Sequence, residues 1–223
     1  MPLRRRLQSL LLQPLQPWLQ PIRPPMLGSM ALLMTVPLVG QQPHSPARAI
    51  QRPEVSETRT ARPGPYTITP ERRALLNTIR YAEGTWLGGA AEGYRTLFGG
   101  GRFQNLDHHP EITVDRGYVS AAAGAYQFLP GTWRAVAREL NLSDFRPDSQ
   151  DQAALRLVDR RGALKCFDRD GLSLEVLARL SPEWASLPDS QGASAYGQPV
   201  KAGSELQRFY AQQLDRQRRG LSA

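Results

Sequence analysis

Proline is distributed very unevenly along this chain. Of its 19 prolines, 13 lie at or before Pro70, and six are spread over the remaining two thirds of the 223 residues. A segment so rich in proline lacks the backbone donors that regular structure needs and is a poor candidate for a packed core. We therefore expect one folded domain over residues 66–218, preceded by a proline-rich linker over residues 50–65 and followed by a tail at residues 219–223.

Charge divides the chain near the same point. The first 53 residues contain six arginines and no acidic residue, whereas the rest contains 22 basic and 20 acidic residues. The net charge of +8 therefore describes mainly the N-terminal segment. Because nucleic-acid binding would need a basic stripe on a folded face, we expect no nucleic-acid partner.

Cysteine and histidine are too few for a disulfide framework or a metal site. Cys166 is the single cysteine, which excludes an intrachain disulfide and a cysteine-rich metal site. His108 and His109 are adjacent, so their side chains diverge, and no third histidine lies in the predicted domain. We expect neither a metal nor a cofactor.

Residues 1–49 are typical of an export signal or a membrane anchor. Three arginines at residues 4–6 precede an apolar run over residues 26–39. That run is short for a membrane-spanning helix, which needs about 20 residues, but it fits the apolar part of a secretory signal. Ala47-Arg48-Ala49 offers a small-x-small cleavage site. We expect export to the periplasm or cell envelope; an uncleaved anchor in contact with the membrane, an organelle transit peptide and a mis-assigned start codon are the alternatives.

Helical periodicity begins directly after the linker. Thr69 can cap a helix, Pro70 suits its first position, and Gly84 can end it. A later helix is expected to begin at Asp148 or Ser149 and to stop at Gly162. The apolar residues that recur at helical spacing are Leu75, Leu76, Ile79 and Ala82; Trp133, Val136, Ala137 and Leu140; Ala154, Leu157 and Val158; Leu177 and Leu180 after Ser173; and Leu206, Phe209, Tyr210 and Leu214 after Ser204.

Between Gly84 and Tyr118 the helical period disappears and glycine becomes frequent. Residues 94–98 and 112–114 resemble short strands, with turns at residues 99–101 and 115–117. One helix, a small sheet region and then several helices predict a predominantly helical α+β domain.

Glu83 is a carboxylate in an unusual place. It lies four residues after Ile79 and therefore on or beside the buried face of the first helix, in its last turn. Burial beside Ile79, proximity to Trp86 and the negative end of the helix dipole would each raise its pKa. A carboxylic acid that stays protonated near neutral pH can donate a proton to a glycosidic oxygen. The alternative is a surface glutamate at a fraying helix end.

The surroundings of Glu83 form an ordered series of short blocks over residues 72–215. The blocks are Glu83-Gly84-Thr85; Gly99-Gly100 with Phe103; Asp107-His108-His109-Pro110; residues 123–129; Trp133; residues 142–151; Arg161-Gly162-Ala163-Leu164; Trp184-Ala185-Ser186-Leu187-Pro188; and Tyr196-Gly197-Gln198. This series resembles the phage lambda endolysin family, whose members are lysozyme-like lytic transglycosylases.

The resemblance implies a lysozyme-like fold in which a small β lobe and a helical lobe flank a cleft. Glu83 matches the catalytic glutamate of the family. The implied substrate is the glycan strand of peptidoglycan, cut at the β-1,4 bond between N-acetylmuramic acid and N-acetylglucosamine. No water is added, because the C6 hydroxyl of the muramic acid attacks its own anomeric carbon and leaves a 1,6-anhydro sugar. We expect the enzyme to act as a monomer.

The resemblance also implies further site residues. Tyr126 and Gln127 lie on a turn that borders the catalytic glutamate in this family, where they would bind the N-acetyl group; a structural tyrosine is the alternative. Tyr196 and Gln198 match a later element of the family, with the same two interpretations. Thr85 would either hydrogen-bond Glu83 or cap the turn.

Two other functions are compatible with the sequence. Hydrolysing lysozymes keep a second acid in the sheet region, and a carboxyl within about 5–9 Å of Glu83 would favour hydrolysis. A wall-binding module without turnover is the other alternative. The acids of the sheet region, none of which occurs in a pattern tied to that role, are Glu92, Asp107, Glu111 and Asp115.

Overall fold

The computed structural model describes residues 64–197 and 199–220. The predicted signal or anchor at residues 1–49 and most of the predicted linker lie outside the described residues.

Within this part of the chain, six α-helices accompany one small sheet. Two strands, β1 (Val114–Asp115) and β2 (Val119–Ser120), pair in antiparallel fashion with Val114 opposite Ser120. Helices therefore dominate an α+β arrangement, as the sequence predicts. The helices are α1 (Pro70–Ala82), α2 (Pro130–Leu140), α3 (Pro147–Arg160), α4 (Leu164–Asp170), α5 (Leu174–Leu180) and α6 (Gly203–Gly220). None of these described helices combines the length and the apolar character that crossing a membrane requires.

Capping explains where two of the helices begin. The Thr69 hydroxyl accepts a hydrogen bond from the Arg72 N–H at 3.3 Å, and Pro70 occupies the first turn of α1. Ser173 caps α5 in the same way, accepting from the Val176 N–H at 3.1 Å. Both starts confirm the sequence prediction.

Two predictions about the later helices were wrong or incomplete. Helix α3 begins at Pro147 rather than at Asp148 or Ser149, because the fixed φ of proline suits the first helical turn. Helix α4 was not predicted. It has seven residues, and only Leu164 and Phe167 on it are buried, which is too short a stripe to recognise in sequence.

The region between α1 and α2 forms tight turns more than strands. Residues 94–98 were predicted as a strand, but the 3-10 turn Ala91–Arg95 takes up the first two of them. Thr96 and Leu97 contribute only isolated bridges, with Arg102 and Ala123, and Phe98 begins a second 3-10 turn, Phe98–Gly100. Of the second predicted strand, Val114 alone belongs to β1. The predicted turn at residues 115–117 is confirmed, since Asp115 accepts the Gly117 N–H at 2.8 Å.

Helix α3 forms the centre of the core, with Ala153, Ala154, Leu155 and Val158 fully buried. Helix α1 packs along α6, where the rings of Tyr81 and Phe209 stack with centroids 4.1 Å apart. An aromatic cluster joins the turn-rich region to the helices. Its members are Phe103, Phe128, Trp133 and Phe145.

Candidate active site

Glu83 lies at the C-terminal end of α1, where it is the capping residue. Its N–H still donates to the Ile79 carbonyl at 2.9 Å, and Gly84 then turns the chain away with a φ of 73°. This left-handed conformation is one that glycine adopts without strain. The Glu83 side chain is half-buried.

Burial raises the pKa of Glu83 to about 7. One hydrogen bond opposes this shift: the Ser186 hydroxyl donates to Oε1 at 2.5 Å and lowers the pKa. A raised pKa is what the position of Glu83 in the sequence predicts, and burial is its main cause. Trp86, which was also expected to act on Glu83, packs edge-on against Phe209 and under the Arg80 guanidinium. A carboxyl with this pKa can both donate and accept a proton near neutral pH.

Ser186 was not among the residues predicted to form the site. It is 103 residues from Glu83 in sequence and lies in the segment that follows α5. No local pattern marks this serine, although it belongs to the Trp184-Ala185-Ser186-Leu187-Pro188 block. Its hydroxyl group supplies the one hydrogen bond that Glu83 accepts from a side chain in the described part of the chain.

A tight turn at residues 124–127 holds the segments of Glu83 and Ser186 together. The Thr85 hydroxyl donates to the Ala125 carbonyl at 2.5 Å, and the Trp184 indole N–H donates to the Tyr126 carbonyl at 3.1 Å. Each donor is two residues from a partner in the Glu83–Ser186 pair. The turn therefore fixes both segments against one another through backbone carbonyls.

Gln150 in α3 anchors the same turn through its side-chain amide. Its Oε1 accepts the Ala125 N–H at 2.8 Å, and its Nε2 donates to the carbonyls of Tyr94 and Phe145. Gly124 is required here. It has a φ of 82°, and a Cβ on it would lie 2.3 Å from Gln150 Oε1.

Two of the predicted substrate-binding residues, Thr85 and Tyr126, have deeply buried side chains in the structure. Thr85 is 1% exposed and donates to Ala125 rather than to Glu83, so it secures the turn. Tyr126 is also 1% exposed, and its hydroxyl donates to Asp151 Oδ1 at 2.5 Å. This burial favours the alternative of a structural tyrosine, and contact of Tyr126 with substrate stays a prediction.

Gln127 and Tyr196 are both half-buried, and their contact with substrate stays a prediction. Gln127 has a φ of 48°, and its Nε2 donates to the Gly124 carbonyl at 2.9 Å. The Tyr196 hydroxyl donates to the Pro182 carbonyl at 2.9 Å. Gln198 lies outside the described residues.

The four acids of the turn-rich region, Glu92, Asp107, Glu111 and Asp115, are all exposed. Asp107 pairs with Arg146 at 3.2 Å, and Glu111 pairs with Arg134 at 3.3 Å. Asp115 closes its own turn. Burial and Ser186 account for the shift of the Glu83 pKa, with no share from a carboxylate among the described residues.

His109 is a core residue. Its Nε2 donates to the Phe128 carbonyl at 2.8 Å, and its Nδ1 accepts the Glu111 N–H at 3.1 Å. Burial lowers its pKa, which favours the neutral ring. Both ring nitrogens are thus occupied. Across residues 64–197 and 199–220, no three potential metal ligands gather into one group.

A shallow groove of about 850 Å³ runs along α2 but does not include Glu83. Its charged lining residues are Arg134 and Arg138, so it has no acid that could serve as a proton donor. The candidate active site is therefore the Glu83–Ser186 pair, which contains a carboxyl of raised pKa.

Comparison with known proteins gives a consistent result. A model of the endolysin family matches residues 73–216. The endolysin of Escherichia phage lambda is 36% identical over 148 residues, which cover 64% of this chain and 90% of that endolysin. The endolysin of Escherichia phage P2 is 36% identical over 110 residues, which cover 42% of this chain and 64% of that relative.

Solved structures agree with these relatives. Bacteriophage lambda lysozyme complexed with a chitohexasaccharide matches with a TM-score of 0.61 and 33% identity, over 66% of this chain and 96% of that one. A second structure of lysozyme from bacteriophage lambda matches with a TM-score of 0.54 and 30% identity, over 69% of this chain and 96% of that one. These matches confirm the lysozyme-like α+β fold that the sequence predicts.

Proposed function

Since this chain belongs to the endolysin family and is a peptidoglycan-cleaving glycosidase, we propose that it is a lytic transglycosylase. Its substrate would be the β-1,4 bond between N-acetylmuramic acid and N-acetylglucosamine in the glycan strands. Glu83 would be its single catalytic carboxyl.

In the first step, the protonated Glu83 carboxyl donates its proton to the glycosidic oxygen. The bond between that oxygen and C1 of the muramic acid breaks, so that N-acetylglucosamine leaves with a neutral hydroxyl and positive charge develops at C1. A pKa of about 7 suits this role, because a large fraction of Glu83 is protonated at neutral pH while the proton is still held loosely enough to transfer.

In the second step, the Glu83 carboxylate accepts a proton from the C6 hydroxyl of the same muramic acid. The C6 oxygen forms a bond to C1, and the 1,6-anhydro ring closes. Glu83 is protonated again, and no water is consumed. Because the nucleophile belongs to the reacting sugar, its high effective concentration replaces a second carboxylate that would position water.

The observation that carries this proposal is the half-buried, raised-pKa carboxyl of Glu83 with its single hydrogen bond to Ser186. Its pKa shift arises from burial and one serine hydroxyl, without a contribution from a carboxylate of the described residues. Inverting and retaining hydrolases both use a second acid, at about 5–9.5 Å from the first. A raised pKa to which no carboxylate of the described residues contributes supports the mechanism that needs only one acid.

N-acetylated sugars are the ligands that we propose for the surroundings of Glu83. The related lambda lysozyme has been solved with a chitohexasaccharide, a chain of such sugars. The half-buried Gln127 and Tyr196 are the side chains that we propose to contact them, since each has groups that can hydrogen-bond an N-acetyl amide.

Product analysis tests the proposal. Purified peptidoglycan is digested with the protein, and the muropeptides are analysed by mass spectrometry. We expect fragments that end in anhydro-muramic acid, each lighter by one water molecule than the corresponding reducing fragment. Reducing ends alone would show hydrolysis, and sacculus binding without soluble fragments would show a wall-binding module. Either result would contradict the proposal.

Export of the domain is a separate proposal that follows from the substrate. Peptidoglycan lies outside the cytoplasmic membrane, and residues 26–39 have the length and apolarity of a secretory signal. N-terminal sequencing of the protein recovered from the cell envelope tests it. We expect a start after Ala49 if the signal is cleaved, and an intact N-terminus if the segment is a membrane anchor. Recovery from the cytoplasm alone would contradict export.

A further inference from the structure

We propose that Ser186 is a positioning residue for Glu83: it holds one carboxyl oxygen, Oε1, so that the other, Oε2, faces the glycan with the transferable proton. This inference rests on the proposed role of Glu83 as the catalytic acid. It adds a division of roles between the two oxygens and assigns a function to a serine that has none in the mechanism above.

The two oxygens of Glu83 differ in their hydrogen bonding. Oε1 accepts from the Ser186 hydroxyl at 2.5 Å. Oε2 accepts no hydrogen bond from residues 64–197 and 199–220. With Oε1 engaged by Ser186, Oε2 is the oxygen left for an incoming sugar.

Ser186 sits in a rigid segment. The Trp184 indole donates to the Tyr126 carbonyl at 3.1 Å, and the Ser194 hydroxyl donates to the Ala185 carbonyl at 3.0 Å. Leu187 is fully buried. Anchors on both sides of Ser186 fix its hydroxyl, so that the orientation of the Glu83 carboxyl is set before substrate arrives.

The charged groups on the elements around the pair bind other partners or, like Glu92, are exposed. None of them shares in the shift of the Glu83 pKa, so among the described residues Ser186 is the one side chain that opposes the effect of burial. They are Arg80 on α1, between the rings of Trp86 and Tyr94; Glu205 on α6, bound to Tyr81 and Lys201; Glu183, paired with Arg161; Asp189, bound to backbone N–H groups of its own loop; and the exposed Glu92.

The hydrogen bond matters most after the proton has left. A hydroxyl donates more strongly to a carboxylate than to a neutral carboxyl, so Ser186 stabilises the form of Glu83 that appears during the reaction. The same bond lowers the pKa of Glu83 from the value that burial alone would give. Loss of the hydroxyl should therefore slow turnover and raise the pKa.

Ser186→Ala tests these two consequences on soluble glycan strands, with the full chain. We expect kcat to fall about tenfold, which corresponds to the loss of one hydrogen bond to a charged group, while KM changes little. The activity of the wild type declines as pH rises through the pKa of Glu83, because the acid form is lost. In Ser186→Ala this decline should move upward by about one pH unit.

Two further variants separate positioning from a merely structural role. Ser186→Thr keeps a hydroxyl and should restore both kcat and the pH profile towards those of the wild type. Ser173→Ala makes the same substitution at the cap of α5, where the hydroxyl binds the Val176 N–H. It should lower thermal stability and leave the pH profile in place.

The outcomes distinguish this inference from the proposal that it rests on. An unshifted pH profile in Ser186→Ala, or an equal shift in Ser173→Ala, would overturn the role of Ser186 alone, provided that Glu83→Gln is inactive. Full activity in Glu83→Gln would overturn the proposed function and this inference with it. A shifted profile in Ser186→Ala that Ser186→Thr reverses supports both.

Discussion

Two carboxyl groups of this domain, the buried Asp151 and the half-buried Glu83, differ in the number of their hydrogen-bond partners. Asp151 in α3 is 1% exposed and accepts from the hydroxyls of Tyr94 and Tyr126 and from the Arg73 guanidinium. Within residues 64–197 and 199–220, Glu83 has a single hydroxyl donor, that of Ser186, and no cation as partner.

The difference shows how one domain produces a structural charge and a reactive acid. Asp151 has three donors, one of which is the cationic Arg73, and its negative charge helps burial to raise the pKa of Tyr94 to about 12. Glu83 has lost much of its hydration without a comparable set of donors, so burial raises its pKa to about 7. The number of partners, rather than burial itself, separates the two roles.

The largest effect is expected from removing the proton of Glu83. Glu83→Gln keeps the size of the side chain and its contact with Ser186 but cannot donate a proton. We expect activity on peptidoglycan to fall by roughly a thousandfold, within the usual contribution of general acid catalysis. Release of soluble muropeptides measures this. Glu111→Gln, at an exposed ion pair, is the matched control and should remain active. Undiminished activity in Glu83→Gln would remove Glu83 from the mechanism.

The next effect concerns stability at Asp151. Asp151→Asn removes the charge that faces Arg73, and we expect the free energy of unfolding to fall by about 2 to 3 kcal/mol. This is less than a fully buried pair would lose, because 29% of the Arg73 side chain is exposed. Denaturant unfolding measures the change.

Asp168→Asn provides the control for Asp151→Asn, since Asp168 pairs with the neighbouring Arg72 but has 37% of its side chain exposed, against 2% for Asp151. We expect a loss of less than about 1 kcal/mol in that variant. Equal losses in the two variants would show that Asp151 is no more than a surface partner, and the contrast with Glu83 would fail.

The smallest expected effect is a gain in stability, in contrast to the loss expected for Asp151→Asn. The folded-state pKa of Glu83, about 7, lies above the ordinary value of 4.5, so folding favours the protonated form. The stability that this gives is present at low pH and is lost as pH rises from 4.5 to 7. Glu83→Gln cannot ionise, so it should be more stable than the wild type at alkaline pH by about 2 kcal/mol. The two proteins should differ much less near pH 5, and identical dependence of unfolding on pH in both would contradict the raised pKa.

Sequence reasoning succeeded where a feature depends on neighbours along the chain. Thr69 and Pro70 identify the start of α1, and helical spacing from Ile79 places Glu83 at its buried end. It failed where long-range packing decides. Ser186 reaches Glu83 across 103 residues, and the Tyr126 hydroxyl donates to Asp151 in α3, a contact that no local pattern indicates.

The strand predicted over residues 94–98 failed for a physical reason as well. Its composition favours extended structure, but the turn Ala91–Arg95 is fixed from outside, where the Arg80 guanidinium donates to the Ala90 carbonyl at 2.9 Å. Gly93 is required within this turn, because a Cβ on it would lie 2.1 Å from the Thr85 carbonyl oxygen. Such close approach cannot be recognised in the pattern of residues 94–98.

The most direct test of a single-carboxyl mechanism is the source of the oxygen at the cut. Peptidoglycan is digested in water enriched in the heavy oxygen isotope, and the new muramic acid ends are analysed by mass spectrometry. If the C6 hydroxyl is the nucleophile, every new end is an unlabelled anhydro sugar. Heavy oxygen at the anomeric carbon of the primary products would show that water attacks, and it would contradict a mechanism in which Glu83 works without a second carboxyl.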